Sequence, residues 1–454
     1  MKTTIMLIIS LIVLSCSSIE EPVLTNQSLE AGIGIVDITG RDAYVLDPLH
    51  VKAVVFRHGE TKAAMVACDV IGVSADMTGP LREEIFQKTG IPVENIVITA
   101  SHTHMGNPRK DLEPAIIQAI SDANSNLKPV TIESALGEQF NISFHRRYFM
   151  RDGTVVFNPM FLNPDIVRPV GPIDPEVNFL LIKDASNNSP VASLSSFALH
   201  LDIVKEYGAV YQATGPGSPN AVSADYPYWL EEFLRKDFGQ DFNSVFFMGT
   251  SGNINHWDFS KPGPQSGHKT KAREVGDSLY RSIIRSLDDS REETPSLAII
   301  SRTIDIPLQG FTNDDLSWAE NIDEGKLSGK SEEPDEREQF LNNVRKRRIL
   351  WLHEQKEKGI VSVPVEVQAI RLSDNTAIIA LPGEIFVELG LTIKNHSPFH
   401  NTFVATLANN TIAYIPNKKA FAQGGYEVEN SRLMAGGGEL IVETAIELLK
   451  ELQK

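Results

Sequence analysis

Cysteine is nearly missing from this 454-residue chain, which has only two. Cys16 closes an apolar N-terminal run, and a signal segment ending there leaves Cys68 without a partner, so an internal disulfide is excluded. Long hydrophobic runs are scarce as well. The run Ile5–Leu14 is too short to cross a bilayer and, behind Met1-Lys2, reads as the apolar part of a signal peptide. No second stretch is long enough to span. Basic charge is in deficit: 42 Lys and Arg stand against 59 Asp and Glu, a net charge of −17, which argues against a nucleic-acid partner. Linkers, low-complexity tracts and internal repeats are missing from residues 30–454, so nothing divides that stretch into separate domains.

The N-terminal signal has a specific form. Val13-Leu14-Ser15-Cys16 resembles a bacterial lipobox, which implies cleavage before Cys16 and lipidation of that cysteine. Residues 1–15 are then a lipoprotein signal peptide and 16–29 a polar tether, leaving 30–454 as the folded unit. The expected location is a lipid-anchored one at the outer membrane or cell surface, or in the periplasm.

Strand-like and helix-like patterns alternate through the folded unit. The apolar runs 52–56, 64–70, 95–99, 177–182, 245–248, 298–304, 365–371, 377–380 and 402–407 read as strands. The segments 78–88, 113–126, 226–237, 270–287, 335–357 and 438–452 carry helical periodicity. The expected fold class is mixed α/β (α+β), a single large domain with mixed sheets flanked by helices. Residues 312–358 are charged and helical, and are expected to form a helical surface excursion over the site.

Chemistry concentrates in a few short segments. Ser101-His102-Thr103-His104 follows the apolar run Asn95–Ala100. As a strand it would set both imidazoles on one face, suited to a metal ligand and a second polar group, although two nearby histidines also serve as a hydrogen-bonded core pair. Ser195–His200 is a second apolar run ending in histidine. Leu381-Pro382-Gly383-Glu384 sets a carboxylate on a tight turn, and Tyr414 and Tyr426 follow twelve residues apart. Two basic clusters stand out against the acidic background. His145-Arg146-Arg147 with Arg151 suits an anion, since guanidinium forks match carboxylate and sulfate, while surface ion pairing is an equal use for them. Arg345-Lys346-Arg347-Arg348 lies on a helical pattern and reads as a solvated face.

Taken together, the motifs resemble the neutral/alkaline (non-lysosomal) ceramidase family over most of residues 30–440. Ala31-Gly32-Ile33-Gly34, Gly171–Glu176, Ser223-Ala224-Asp225 and Gly249–Asn253 add to the match in order. The resemblance implies the fold of that family's catalytic domain and a Zn²⁺ ion held by His102, His200, Glu384 and Tyr414. It also implies that His104 and Tyr426 face substrate, with Arg146 or Arg147 in the place of a family arginine.

Two reactions suit such a site. One is hydrolysis of an N-acyl amide, with Tyr426 and an arginine stabilising the oxyanion. The other is β-elimination at a uronic acid, in which zinc and arginine stabilise an enolate while Tyr or His carries the proton. The sequence departs from the ceramidase pattern in ways that favour the second. The chain given ends 28 residues after Tyr426, Leu201-Asp202 follows His200, and Pro416-Asn417 with Lys418-Lys419 follow the zinc tyrosine. With His145, Arg151 and Lys418 as substrate-binding residues, the expectation is a dehydratase or lyase acting on acidic, uronate-containing oligosaccharides, as in the breakdown of ulvan-type polysaccharides. A ceramidase-like amidase and a non-catalytic glycan-binding lipoprotein are the alternatives.

Overall fold

The computed structural model describes residues 28–40, 44–106, 111–204, 221–263, 268–322 and 334–454. The signal segment, Cys16 and most of the expected tether lie outside the described residues, and so do residues 323–333 of the helical excursion.

Helices α1 (Ala75–Thr89), α2 (Leu112–Ser125), α3 (Tyr226–Phe238) and α4 (His268–Ser286) cover one face of a large mixed sheet. That sheet runs β8-β7-β6-β5-β1-β2-β3-β4, with β1 Glu30–Asp37, β2 His50–His58, β3 Thr61–Cys68, β4 Ile96–Ala100, β5 Lys128–Glu138, β6 Glu176–Asp184, β7 Pro190–Phe197 and β8 Asn243–Met248. Its other face packs on a four-stranded sheet, β9 (Pro295–Pro307), β10 (Ser362–Ser373), β11 (Thr376–Ala380) and β12 (Asn401–Ala405). Val54, Phe56, Leu180 and Val245 meet Ile370, Ile378 and Phe403 between the sheets, all essentially sealed from solvent. The outer face of the small sheet is covered by α7 (Val387–His396) and α8 (Gly437–Gln453), where Ile393, Ile441 and Leu448 pack on Val365, Val367 and Ile379. The result is four layers, helices–sheet–sheet–helices. Period-2 alternation in β10 sends Val365, Val367 and Ala369 to the helix side and Ile370 and Leu372 to the sheet side.

Three parallel strand pairs matter for function: β3–β4, β7–β8 and β11–β12. Parallel neighbours need a crossover, and α1, α3 and α7 supply one each. The carboxyl ends of all three pairs point to the same region, the usual place for a site in such sheets.

Helices α5 (Asn313–Asn321) and α6 (Pro334–Glu357) form the helical excursion. Of the Arg345–Arg348 cluster, read from its charge as a solvated face, Arg347 is exposed and the other three are partly buried. Arg345 bonds Asp315 at 2.7 Å and stacks over Trp318, while Arg348 reaches Glu429 at 2.8 Å and also donates to Gln309. These bonds hold α6 to α5 and to the segment after Tyr426. Among the described residues no helix is long and apolar enough to cross a membrane.

The sheet–sheet layer should dominate stability. Phe403→Ala, which empties a fully buried ring site between the sheets, should cost about 3–5 kcal/mol by guanidinium unfolding. Val191→Ala, on a 39% exposed position, should stay within about 0.5 kcal/mol.

Candidate metal and catalytic centre

The chain leaves β4 at Ala100 and turns sharply. His102 takes φ 69°, a left-handed conformation, so the two imidazoles do not share a face by strand alternation as their spacing suggests. They converge through the turn instead. The backbone N–H of His102 donates to Val70 O at 3.0 Å and that of His104 to Leu201 O at 3.1 Å, which ties the turn to the ends of β3 and β7. His102 Nδ1 donates to the Ile71 carbonyl at 2.6 Å, leaving Nε2 to face inward.

His200 comes from the loop after β7. Asp225 holds that loop by accepting the backbone N–H groups of Ile203 and Val204 at 3.0 and 2.9 Å, itself at φ 61°. The Ser223-Ala224-Asp225 motif thus positions a site loop. Glu384 follows β11 by way of Gly383, whose φ of 79° suits glycine, and its short strand Glu384–Ile385 pairs in parallel with Tyr414–Ile415. Gly252, from the loop after β8, lies against this strand so closely that a Cβ would come within 2.4 Å of Glu384 O.

Three imidazole nitrogens converge, with one carboxylate oxygen beside two of them. His200 Nε2 is 3.1 Å from His102 Nε2 and 3.2 Å from His104 Nε2, and Glu384 Oε2 is 3.3 and 3.8 Å from His102 and His200. His102 and His200 are buried and His104 is exposed. Burial pushes the Glu384 carboxyl up, but His102 and the Tyr414 hydroxyl outweigh it and hold the group below the ordinary carboxylate range. His102 is pulled down by burial and up more strongly by Glu384, ending above the ordinary histidine value. Burial, with His102 beside it, drives His200 well below that value, so it stays neutral. Imidazoles and a carboxylate brought this close need a proton or a metal cation among them. The nitrogens of His102, His104 and His200 could hold a metal ion, with the Glu384 carboxylate beside two of them. The Ile71 carbonyl supplies the outer hydrogen bond that orients a ligating histidine.

Phenols and a guanidinium flank the donors. Tyr414 is buried, and burial raises its hydroxyl well above the ordinary value. Tyr426 meets it edge-on with ring centroids 5.3 Å apart, and Arg146 Cζ lies 5.1 and 5.7 Å from the two ring centres. Arg146 also donates to Glu427 at 2.8 Å and Gly252 O at 2.7 Å. Tyr426 stacks on Phe157 (5.0 Å) and against Phe340 (5.4 Å) of α6, a wall that sequence reading missed. Nothing local marks Phe157 or Phe340, since only the fold brings them beside Tyr426.

The rest of the expected substrate grip is elsewhere. Arg147 is fully buried, spent on Glu427 (2.8 Å), Gly424 O (2.9 Å) and Gln423 (3.3 Å), so between the two arginines only Arg146 reaches the site. His145 is buried too, 3.1 Å from Asn253 and 3.5 Å from Glu388. Arg151 is 75% exposed and pairs with Asp165. Lys418 is exposed on the first turn of the short helix Lys418–Gln423, where Glu439 accepts its backbone N–H. Two short strands, Phe144–His145 and Arg147–Met150, break at Arg146, and the three consecutive basic side chains end in different surroundings.

Glu427 is the buried acid that both arginines need. Glu427→Ala strands two buried guanidinium groups and should cost about 3–5 kcal/mol in denaturant unfolding.

No protein-family model matches this sequence, and no curated protein does. Solved structures do. The neutral ceramidase from Pseudomonas aeruginosa matches with a TM-score of 0.67 at 17% identity, over 94% of this chain and 75% of that one. A ceramidase complexed with C2 matches with a TM-score of 0.67 at 16% identity and the same coverage. At these identities the likeness is one of fold: four mixed α/β layers arranged as in the neutral ceramidases.

Proposed function

We propose that the protein is a metal-dependent hydrolase of N-acyl amides, with Zn²⁺ held by His102, His200, Glu384 and Tyr414. The observation that carries it is the convergence of inward-facing imidazoles and one carboxylate beside a buried Tyr–Arg–Tyr cluster, in a fold shared with ceramidases. When bound, the ion supplies Lewis acidity toward a carbonyl and acidifies water. The residues do the rest. Arg146, fixed by Glu427 and Gly252, aims positive charge at the position where a carbonyl oxygen gains charge, and the Tyr426 hydroxyl donates there. His104, the exposed one of the three imidazoles, serves in this reading to move a proton to the departing amine and not as a ligand. Phe157 and Phe340 fix the Tyr426 ring and keep water from its faces.

Elimination at a uronate is the weaker reading. It drew on a basic cluster of which His145 and Arg147 are buried in bonds of their own and Arg151 pairs with Asp165 at the surface. Lipidation at Cys16 and a membrane location stay proposals on the lipobox-like sequence, with Cys16→Ser expected to release the protein from the membrane fraction.

Purified protein should release free amine from N-acyl substrates, lose this on chelation and regain it with Zn²⁺. Tyr426→Phe should lower kcat by about 10²-fold with metal content unchanged, whereas His102→Ala and Glu384→Ala should each lose the metal by elemental analysis. A rise in ultraviolet absorbance with uronate-ended oligosaccharides, and intact amides, would replace hydrolysis with elimination.

A further inference from the structure

The helical excursion brings one arginine to the edge of the site. Arg337, on the first turn of α6, donates through one terminal nitrogen to Asn158 O at 2.8 Å and lies over the Phe157 ring, 5.7 Å from its centre. Asn158 in turn donates its backbone N–H to Arg146 O at 2.6 Å, and its side chain accepts from Asn255 at 2.7 Å. One residue therefore separates Arg337 from the arginine of the catalytic cluster, and the Phe157 ring it covers is stacked on Tyr426. Phe340, a single turn further along α6, packs on the same two rings.

Arg337 combines partial burial with a missing acid. Arg345 has Asp315 and Arg348 has Glu429, while Arg347, for which no ion pair is seen either, is exposed. Among the described residues no carboxylate forms an ion pair with Arg337, and its only hydrogen bond is to a carbonyl. It is half-buried even so, and burial holds it below the ordinary arginine value with no acid to offset the cost. A half-buried guanidinium with unused donors, rigidly tied to the catalytic cluster, is the form of an anion-binding group.

We propose that Arg337 is a substrate-binding residue that selects N-acyl substrates carrying a carboxylate or sulfonate close to the amide, with Phe157 and Phe340 packing beside that group. The hydrolase reading supplies only the scissile amide. Anion recognition thus passes from the 145–151 cluster to the excursion helix.

The test uses three amides with one acyl chain: N-dodecanoylglycine (carboxylate), N-dodecanoyltaurine (sulfonate) and the neutral N-dodecanoylethanolamine. Binding to chelator-treated protein is measured by calorimetry, and KM and kcat are measured on the zinc-loaded protein. The anionic amides should bind about 10-fold or more tighter than the neutral one, as expected for a charge-assisted bond. Arg337→Gln should bring the ratio of affinities for the anionic and neutral amides close to one, and Arg337→Lys should restore part of the preference. In wild-type protein, which needs no variant, KM for the anionic amides should rise with salt while that for the neutral amide should not. A merely structural role for Arg337 would move all three substrates alike. Equal affinity for the three amides, or a preference that survives Arg337→Gln in a folded protein, would overturn the proposal. Turnover without charge preference would leave hydrolysis standing and remove the anion subsite. Arg337-dependent binding without turnover would do the reverse.

Discussion

Three imidazole nitrogens crowded together, with a carboxylate oxygen against two of them, are the constraint that the rest of the structure serves. His102, His104, His200 and Glu384 come from three separate loops, and their donors would separate if those loops were free. The sheets prevent this. Each loop leaves the carboxyl end of a strand belonging to a parallel pair, and bonds such as His104 N–H to Leu201 O and Gly252 N–H to Ile385 O tie the loops to one another. The cost of crowding lone pairs is met by the packed layers behind them, where the apolar faces of two sheets and their covering helices are buried. Such a site is preorganised for a cation: the ordering entropy is met in folding rather than in binding.

Charge compensation follows the same logic one layer out. Arg146 and Arg147 are adjacent in sequence and both buried, and Glu427 accepts from both. The acid sits directly after Tyr426, so one short helix, Tyr426–Glu429, both presents the phenol and neutralises the guanidinium pair behind it. Arg146 keeps its contact with Tyr414, while Arg147 is closed off by Gly424 and Gln423. Two neighbouring arginines of equal chemistry thereby acquire different uses, one facing the site and one locking the Gln423–Gly425 turn that leads into Tyr426.

The strands and helices were legible because apolar periodicity directly reports which faces are buried. Each of the apolar runs read as strands overlaps a strand, and each helical pattern overlaps a helix. The donors His102, His200 and Glu384 were legible for a related reason, since each follows an apolar run and polar groups after buried strands lie at a sheet end. Orientation was not legible. The left-handed turn at His102 and the different surroundings of His145, Arg146 and Arg147 go with hydrogen bonds to residues distant in sequence, such as Asn253, Gly252 and Glu427, that apolar periodicity does not encode. The basic cluster therefore looked like a grip on a polyanion when most of it is internal structure. Phe157, Phe340 and Arg337 were invisible because each matters only through contact with Tyr426 or its stacked neighbour.

The balance between hydrolysis and elimination turns on where positive charge is available. Elimination next to a carboxylate needs cationic groups that hold both oxygens of that carboxylate while the adjacent carbon loses its proton, and a bidentate guanidinium is the efficient way to do this. Arg146 is not free for such a grip. Its Nε is committed to Glu427 and one terminal nitrogen to Gly252 O, so it offers a single edge toward Tyr414 and Tyr426. A single edge, with a phenol beside it, matches one oxygen that gains charge, which is what an amide carbonyl presents on attack. Arg337 is linked to Arg146 only by way of Asn158, and on the proposed reading it would serve a second, permanently charged group on the same substrate. In that reading the two arginines divide the work: one would answer charge that develops during reaction, the other charge that is present throughout. Only the first can contribute to kcat, because binding that is equal in ground and transition states lowers KM alone.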